Sequence, residues 1–453
     1  MTDPTTNPWE ALKTVLVEED PLALEHYLET LPTAEIARAI SRLSQDEQTR
    51  LMTLLAPQDA AEIIEEVTEV QAVDLIEDLE PGQAATIIEE MRSDQQADLL
   101  GDLNDDVAEA ILDEMGSTEA EEVRQLLSYP GDTAGGLMVT EYLTYAENQD
   151  VQDVVDDLLQ YGSQYADYDV QYLFIIAESG ALVGVLPLRD LLLTARSTRV
   201  KSVMRTDPHH LSPEASLDEV QQFFDDHSFF GVPITDESGK IVGIVQRAAV
   251  EKATGDQANK TYLESSGIVG GEELRSMKLW TRASRRLSWL SINILLNIAA
   301  ASVIAFYQDT LAAVIALAVF LPIISDMSGC SGNQAVAVSI RELTLGLVKP
   351  REIFRVVVKE AGVGIFNGVI LGCLIGCVAW IWQGNVYLGL VVGGALAANT
   401  LLAVLIGGLV PLVLRGFKMD PALASGPILT TVTDMFGFFL VLSLASALLP
   451  RLM

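Results

Sequence analysis

The chain has 453 residues and a net charge of −35, with 49% hydrophobic and only 20% charged side chains. The acid is confined to one half: Trp280–Met453 holds 11 Lys+Arg and 7 Asp+Glu, leaving 17 and 56 for residues 1–279. Such an acidic half excludes nucleic acid as a partner, since phosphate binding runs on Lys and Arg, and suits cations instead.

Three cysteines, Cys330, Cys373 and Cys377, lie in the apolar half and offer neither a disulfide framework nor zinc-ligand spacing. Cys373 and Cys377 adjoin Gly372 and Gly376 and read as small packing residues. Met1 to Asp20 is polar and acidic, so no secretory leader is expected and the N-terminal part belongs in the cytoplasm.

Residues 1–130 read as an acidic, all-α helical repeat. Three segments starting at Pro57, Pro81 and Asp105 align at a spacing of 24, with Ile63, Ile87 and Ile111 equivalent. A weaker copy starts at Thr33, and a second pattern runs through Leu51/Leu55, Leu75/Leu79 and Leu99/Leu103. Units of two short helices bury their apolar faces only by stacking on neighbours. Asp94 and Asp98 share one helix face, where like charges repel unless a cation relieves them. They are candidate ligands of a weak Mg2+ sensor, against the simpler reading of a solvated acidic face.

Residues 131–255 carry two copies of an α/β module. Leu173–Ile176 and Leu182–Leu186 read as strands around a turn at 178–180, and Val232–Thr235 with Ile241–Val245 repeat this around 236–239. A helix precedes each pair, at Val151–Leu159 and Leu217–Phe224, and each copy opens on a similar phrase, G136-L-M-V-T-E and S202-V-M-R-T-D. With G184-V-L-P-L-R-D and F229-F-G-V-P-I-T-D, this resembles a tandem pair of CBS domains, modules that often bind adenine nucleotides. For ATP or a relative of it, the resemblance points to Tyr172, Arg189, Asp190 and Phe229. An aromatic would stack the base and Asp190 would hold ribose hydroxyls. Tyr172 and Phe229 read equally well as core aromatics. The four histidines make no metal or triad spacing, and no P-loop or G-x-S-x-G occurs, so no enzyme is expected.

A connector helix is expected over 256–285, its cations Lys278, Arg282 and Arg285 marking the cytoplasmic boundary. Five apolar spans follow, near 287–307, 311–340, 361–382, 386–414 and 427–449, in a transmembrane domain over 286–453. Lys and Arg cluster between spans two and three and between four and five, which places the C-terminus outside. Span two is too long for the ~30 Å hydrocarbon core and holds Pro322 and the polar stretch S325-D-M-S-G-C-S-G-N-Q334. A broken polar helix there is expected to line a pathway, with Asp326, Asn333 and Gln334 as liners, or to pack through Gly329 and Gly332. In span five, Asp420-Pro421 reads as an N-cap and first-turn proline, and Gly426-Pro427 as a break. Pro427, Thr430, Thr431, Asp434, Gly437 and Val441 then share one helix face. Asp434 is the only acid after Glu360 apart from Asp420. A carboxylate inside a span is costly, so it marks a functional site.

Taken in order, these parts resemble the MgtE family of magnesium channels and transporters. G329-C-S-G-N-Q334 and D420-P-A-L-A-S-G-P-I-L-T-T-V-T-D434 carry the resemblance most specifically. It implies a multi-domain protein of the cell (inner) membrane with a plug-type connector. It implies a homodimer whose pore runs at the interface between spans two and five, Asp434 of both subunits holding Mg2+ with Thr431, Asn333 and Asp326 nearby. It also implies closure by cytosolic Mg2+. Here the chain departs: in Q246-R-A-A-V-E-K-A-T-G-D-Q-A-N-K260 basic residues outnumber acids, Ser228 stands where some relatives have aspartate, and Cys330 and Gly426 where some have asparagine. Alternatives are a broader Co2+, Ni2+ or Zn2+ path, which the lack of thiolate or imidazole on the Asp434 face disfavours, an ion-coupled carrier, and a membrane-anchored nucleotide sensor without transport.

Overall fold

The computed structural model describes residues 7–453 other than 166–167, 169, 271–272, 276, 278, 350 and 418–420. The chain forms two compact units, Met1–Asp256 and Gln257–Met453.

The first unit opens with ten helices among the described residues: α1 (Pro8–Glu18), α2 (Pro21–Glu29), α3 (Thr33–Ile40), α4 (Gln45–Leu54), α5 (Pro57–Glu66), α6 (Glu69–Glu77), α7 (Pro81–Ile88), α8 (Ser93–Asp102), α9 (Asp105–Glu114) and α10 (Ser117–Leu127). From α3 on, helix starts recur every 24 residues in two interleaved series, as the sequence repeat requires. Helices this short are unstable alone, so packing must hold them. The closest packing joins odd to odd and even to even, as in α7 on α9 and α8 on α10, while α1 also meets α2 and α4, and α5 meets α6. The equivalent residues Ile63, Ile87 and Ile111, with Leu51, Leu75 and Leu99, form one continuous buried core. Prolines at the start of α5 and α7 occupy the turn where a missing N–H is harmless.

Two small sheets follow. Strands β1 (Met138–Val139), β2 (Thr144–Ala146), β3 (Tyr172–Ile176), β4 (Leu182–Pro187), β5 (Arg205–Thr206), β6 (Gly231–Thr235) and β7 (Ile241–Gln246) are ordered β1-β7-β6 and β2-β3-β4-β5. Helices α11 (Val151–Gln160), α12 (Leu188–Leu193), α13 (Val200–Val203) and α14 (Leu217–Asp226) intervene. The opening strand of each module joins the sheet of the other: β1 pairs with β7 and β5 with β4. Two glycines permit the exchange. A Cβ at Gly184 would lie 2.5 Å from Met204 Sδ, and one at Gly243 2.7 Å from Met138. The similar opening phrases are thus two equivalent strands that cross over.

Helix α15 (Arg247–Ser265) leaves β7 directly. The expected connector helix over 256–285 is instead two helical pieces, the first ending at Ser265 and the second starting at Leu279. Gly267 and Gly270 take φ of +83° and +95°, conformations that end a right-handed helix. Between the two pieces Glu273 is nearly buried and pairs with Arg282 (3.2 Å) and with Arg286 of the second piece.

Among the described residues the second unit holds five long helices: α16 (Leu279–Phe306), α18 (Leu317–Thr344), α19 (Ile353–Gln383), α20 (Val386–Gly416) and α21 (Pro421–Ala447). Short helices α17 (Gln308–Ala313) and α22 (Leu449–Leu452) complete it. Among the described residues four of the five are long and apolar enough to cross a bilayer. Helix α18 has the length, 28 residues, but carries the polar stretch.

Two expected breaks are absent. The overlong second span divides at 314–316, between α17 and α18, and not at the polar stretch, which is helical throughout. Helix α21 likewise runs unbroken through Gly426-Pro427. Each proline lies in the second turn of its helix and removes a single backbone bond. A helix bundle in a membrane tolerates that loss. The expected N-cap Asp420 and the cations Lys278 and Lys418 lie outside the described residues. Helices α19 and α20 touch backbone to backbone. A Cβ at Gly372 would sit 2.5 Å from the Gly393 carbonyl, and one at Gly393 2.5 Å from that of Gly372. Cys373 and Cys377 are exposed and take no part in this packing, which the glycines provide.

Candidate functional site

Asp434 is half-buried on α21, where it faces α18. Ser325 Oγ donates a hydrogen bond to Asp434 Oδ1. Ser325 opens the polar stretch of α18, and its direct tie to Asp434 was not expected, because sequence alone does not rotate one helix against another. Thr431, one turn before Asp434, is also half-buried. The far end of the expected face closes up, Gly437 buried and Val441 fully so, while Pro427 and Thr430 stay half-buried. A Cβ at Gly437 would lie 2.6 Å from Asn399 Nδ2 of α20, so the small residue serves close packing.

Asp326 and Asn333 are exposed, with Cys330 and Gln334, at a spacing that lines one stripe of α18. They turn away from the Ser325 side. Gly332 packs inward, where an added Cβ would meet Leu429 at 2.8 Å and the Ala403 carbonyl at 2.9 Å. Gly329 has room around it.

In the first unit, the start of α8 docks on the strand region. Glu141 accepts from the Ser93 N–H (2.9 Å) and Ser93 Oγ (2.7 Å), and Ser93 Oγ accepts from the Thr140 N–H. Asp94 pairs with Arg92 at 2.9 Å. Burial raises the Asp94 carboxyl above the usual range; Arg92 opposes this and Glu141 adds to it. Asp98 reaches the surface but is crowded by protein and by the charges of Asp94 and Glu69, which push it up to about 7. Lys252 of α15 acts on both in the opposite direction. Among the described residues no three His, Cys, Asp or Glu side chains form a metal-holding group.

A shallow cleft opens between the two modules, lined by Glu141, Tyr142, Gln171, Tyr172, Phe230 and Gln246 among others. Tyr172 lines this cleft, and the Phe230 N–H donates to its hydroxyl at 3.4 Å. Phe229 does not line the cleft. It stacks on His227, with ring centroids 5.3 Å apart, in a cluster with Phe223 and His209. Its neighbour Phe230 is the cleft aromatic, because adjacent residues entering a strand point to opposite sides. Arg189 is exposed, and Asp190 is paired with Arg205 at 3.1 Å; neither lines the cleft. Arg247 is a clasp, donating to the carbonyls of Phe229 (2.9 Å) and Phe224 (2.6 Å).

Comparison with known proteins follows the same three-part division. Residues 31–132 match the MgtE intracellular N domain, 134–196 and 200–253 match CBS domains, and 321–444 match the MgtE divalent cation transporter domain. The chain is 32% identical over 336 residues to the magnesium transporter MgtE of Bacillus subtilis (strain 168), covering 74% of each. It is 34% identical over 334 residues to that of Thermus thermophilus, covering 72% of each. Its first unit resembles the crystal structure of the cytosolic domain of the Mg2+ channel MgtE in complex with ATP, at 28% identity and a TM-score of 0.50, over 54% of this chain and 99% of that one. The soluble part of a magnesium transporter matches at 25% identity and a TM-score of 0.50, over 55% and 98%.

Proposed function

This chain belongs to the MgtE family of magnesium transporters, and on that premise we propose that Mg2+ crosses the membrane between α18 and α21 of two subunits, held at Asp434. The family transports and is not one of enzymes. The observation that carries the pore reading is the polar stripe of α18, with Asp326, Cys330, Asn333 and Gln334 exposed on a helix of membrane length. Side chains of this kind are costly against lipid and are found facing protein or a water-filled cavity. A second copy of the chain would cover the stripe and enclose water, which makes the homodimer part of the proposal. Asp434 and Ser325 lie on the same two helices.

Mg2+ dehydrates reluctantly and keeps its waters. One carboxylate per subunit, with Thr431 and backbone carbonyls around it, suits a hydrated ion better than a many-ligand cage. Selection then comes from the size of the hydrated ion and the field of Asp434. ATP or a related nucleotide would bind in the cleft at Tyr172 and Phe230, as ATP binds the cytosolic domain of the relative. Asp94 and Asp98 would read cytosolic Mg2+, with Lys252 supplying part of the counter-charge in this chain. The N-terminal domains are cytoplasmic in this reading and the C-terminus outside.

The decisive measurement is Mg2+ flux into liposomes carrying wild type or Asp434→Ala. Flux should fall to background in the variant; unchanged flux would remove Asp434 from the path.

A further inference from the structure

Two buried hydroxyls in the second unit find a carbonyl. Ser339 Oγ of α18 donates to the Gly408 carbonyl of α20 at 3.0 Å, and Thr433 Oγ1 donates to that of Thr430 at 3.0 Å. Ser328, Asn399 and Thr400 behave otherwise. Each is fully buried, and Ser328 Oγ, both amide atoms of Asn399 and Thr400 Oγ1 make no hydrogen bond to the described residues. A buried amide left unpaired is strongly unfavourable, the more so in a membrane unit.

Helix register brings two of these residues to one level of the α18–α20 contact. Gly332 of α18 packs on the Ala403 carbonyl, and Gly407 on the Gly332 carbonyl. One turn back along these two helices stand Ser328 and Asn399. Asn399 also lies over Gly437 of α21, three residues past Asp434, with Ile324, the neighbour of Ser325, against the same glycine. The unpaired atoms therefore sit at the level of the Ser325–Asp434 hydrogen bond, on the protein-facing side of it.

We propose that Ser328 and Asn399 form a water-binding site buried between α18 and α20, and that the bound water sets the seating of α21 that carries Asp434. The chemistry selects water over a cation. The site presents an amide donor as well as amide and hydroxyl acceptors, and water both donates and accepts. A cation would leave the amide N–H groups unsatisfied and facing positive charge. Three polar atoms from two helices match the two to four partners that a buried water takes. Asn399 is thus a positioning residue, acting on Asp434 through the packing of Gly437.

The test is a double-mutant cycle in the full-length protein in nanodiscs, comparing Ser328→Ala, Asn399→Leu and the double variant. Each single change should lower Tm by several degrees, and the double should fall no further than the worse single, because either change releases the same water. Additive losses would overturn the shared water. A Tm raised by Asn399→Leu would do so too, since relief of an orphaned amide is then the whole effect. Should Asn399→Leu fail to assemble, Asn399→Ala takes its place in the cycle, and Asn399→Ser, which leaves room for a further water, should melt near wild type. The positioning half rests on the pore reading. In liposomes Asn399→Leu should change the preference for Mg2+ over Ca2+, and Asn399→Ser should restore it; a preference unchanged across the series would overturn that half. Asp434→Ala separates the two readings: full flux in that variant would sink the pore while the melting cycle still reports the water.

Discussion

At Asp434 the surroundings are sparse: one serine donor, a threonine a turn away, and small residues that let α18 and α20 come close. If Ser325 aims the carboxylate, Ser325→Ala should leave transport intact but raise the Mg2+ concentration for half-maximal uptake by about tenfold, the scale of a hydrogen bond to a charged group. Concentration-dependent uptake into liposomes measures this. The two adjacent phenylalanines make a second residue-scale contrast. Phe230→Ala removes a cleft wall and should weaken ATP binding by calorimetry with little loss of stability. Phe229→Ala removes a ring from the His227 stack and should cost about 2 kcal/mol of folding stability while the cleft keeps its aromatic pair. The F229-F-G phrase was legible as important. Which of its two rings faces the cleft was not, because that depends on where β6 begins.

At the level of elements, repeats were the most readable feature. The 24-residue period emerged as two interleaved helix series because each unit has no partner but its neighbours. The hairpin turns at 178–180 and 236–239 also form as expected, with Gly180 and Gly239 at φ of +82° and +79°. Helix ends in the apolar half were read poorly. Glycine and proline there signal breaks in a soluble chain, but in a bundle they serve contact, and the backbone has no water to turn to if it unwinds. The α19–α20 ladder shows the cost of ignoring this. Gly393→Leu would drive its side chain into the Gly372 carbonyl, and we expect that variant to lose its monodisperse peak in size-exclusion chromatography. Gly394→Leu, one residue on where nothing lies within 4 Å, should behave as wild type.

For the whole molecule, acid in the first unit should link its stability to pH and to Mg2+. Folding raises the Asp98 carboxyl from an ordinary 3.8 to about 7 and moves Asp94 the same way. The folded state therefore holds protons that the unfolded state has released, and stability falls as pH rises from about 4 to about 7, then levels. A divalent cation competes with those protons, so melting of the full-length protein should gain more from added Mg2+ at pH 8 than at pH 5.5. Asp98→Asn should flatten both dependences. Lys252→Ala should enlarge the Mg2+ effect by removing a tethered counter-charge.

Sequence alone determined the division into an acidic repeat, a CBS pair and an apolar helical unit, because period, charge and hydropathy are local quantities that add along the chain. It also singled out Asp434, since a lone acid among apolar residues is costly wherever the helix turns. Tertiary structure decided the rest: the exchange of β1 and β5 between modules, Phe230 in place of Phe229 at the cleft, and Ser325 in place of Asp326 beside Asp434. Each of these depends on the rotation or register of one element against another. That choice is made by the packing of groups distant in the chain, such as Gly332 on Ala403 and Gly437 beneath Asn399.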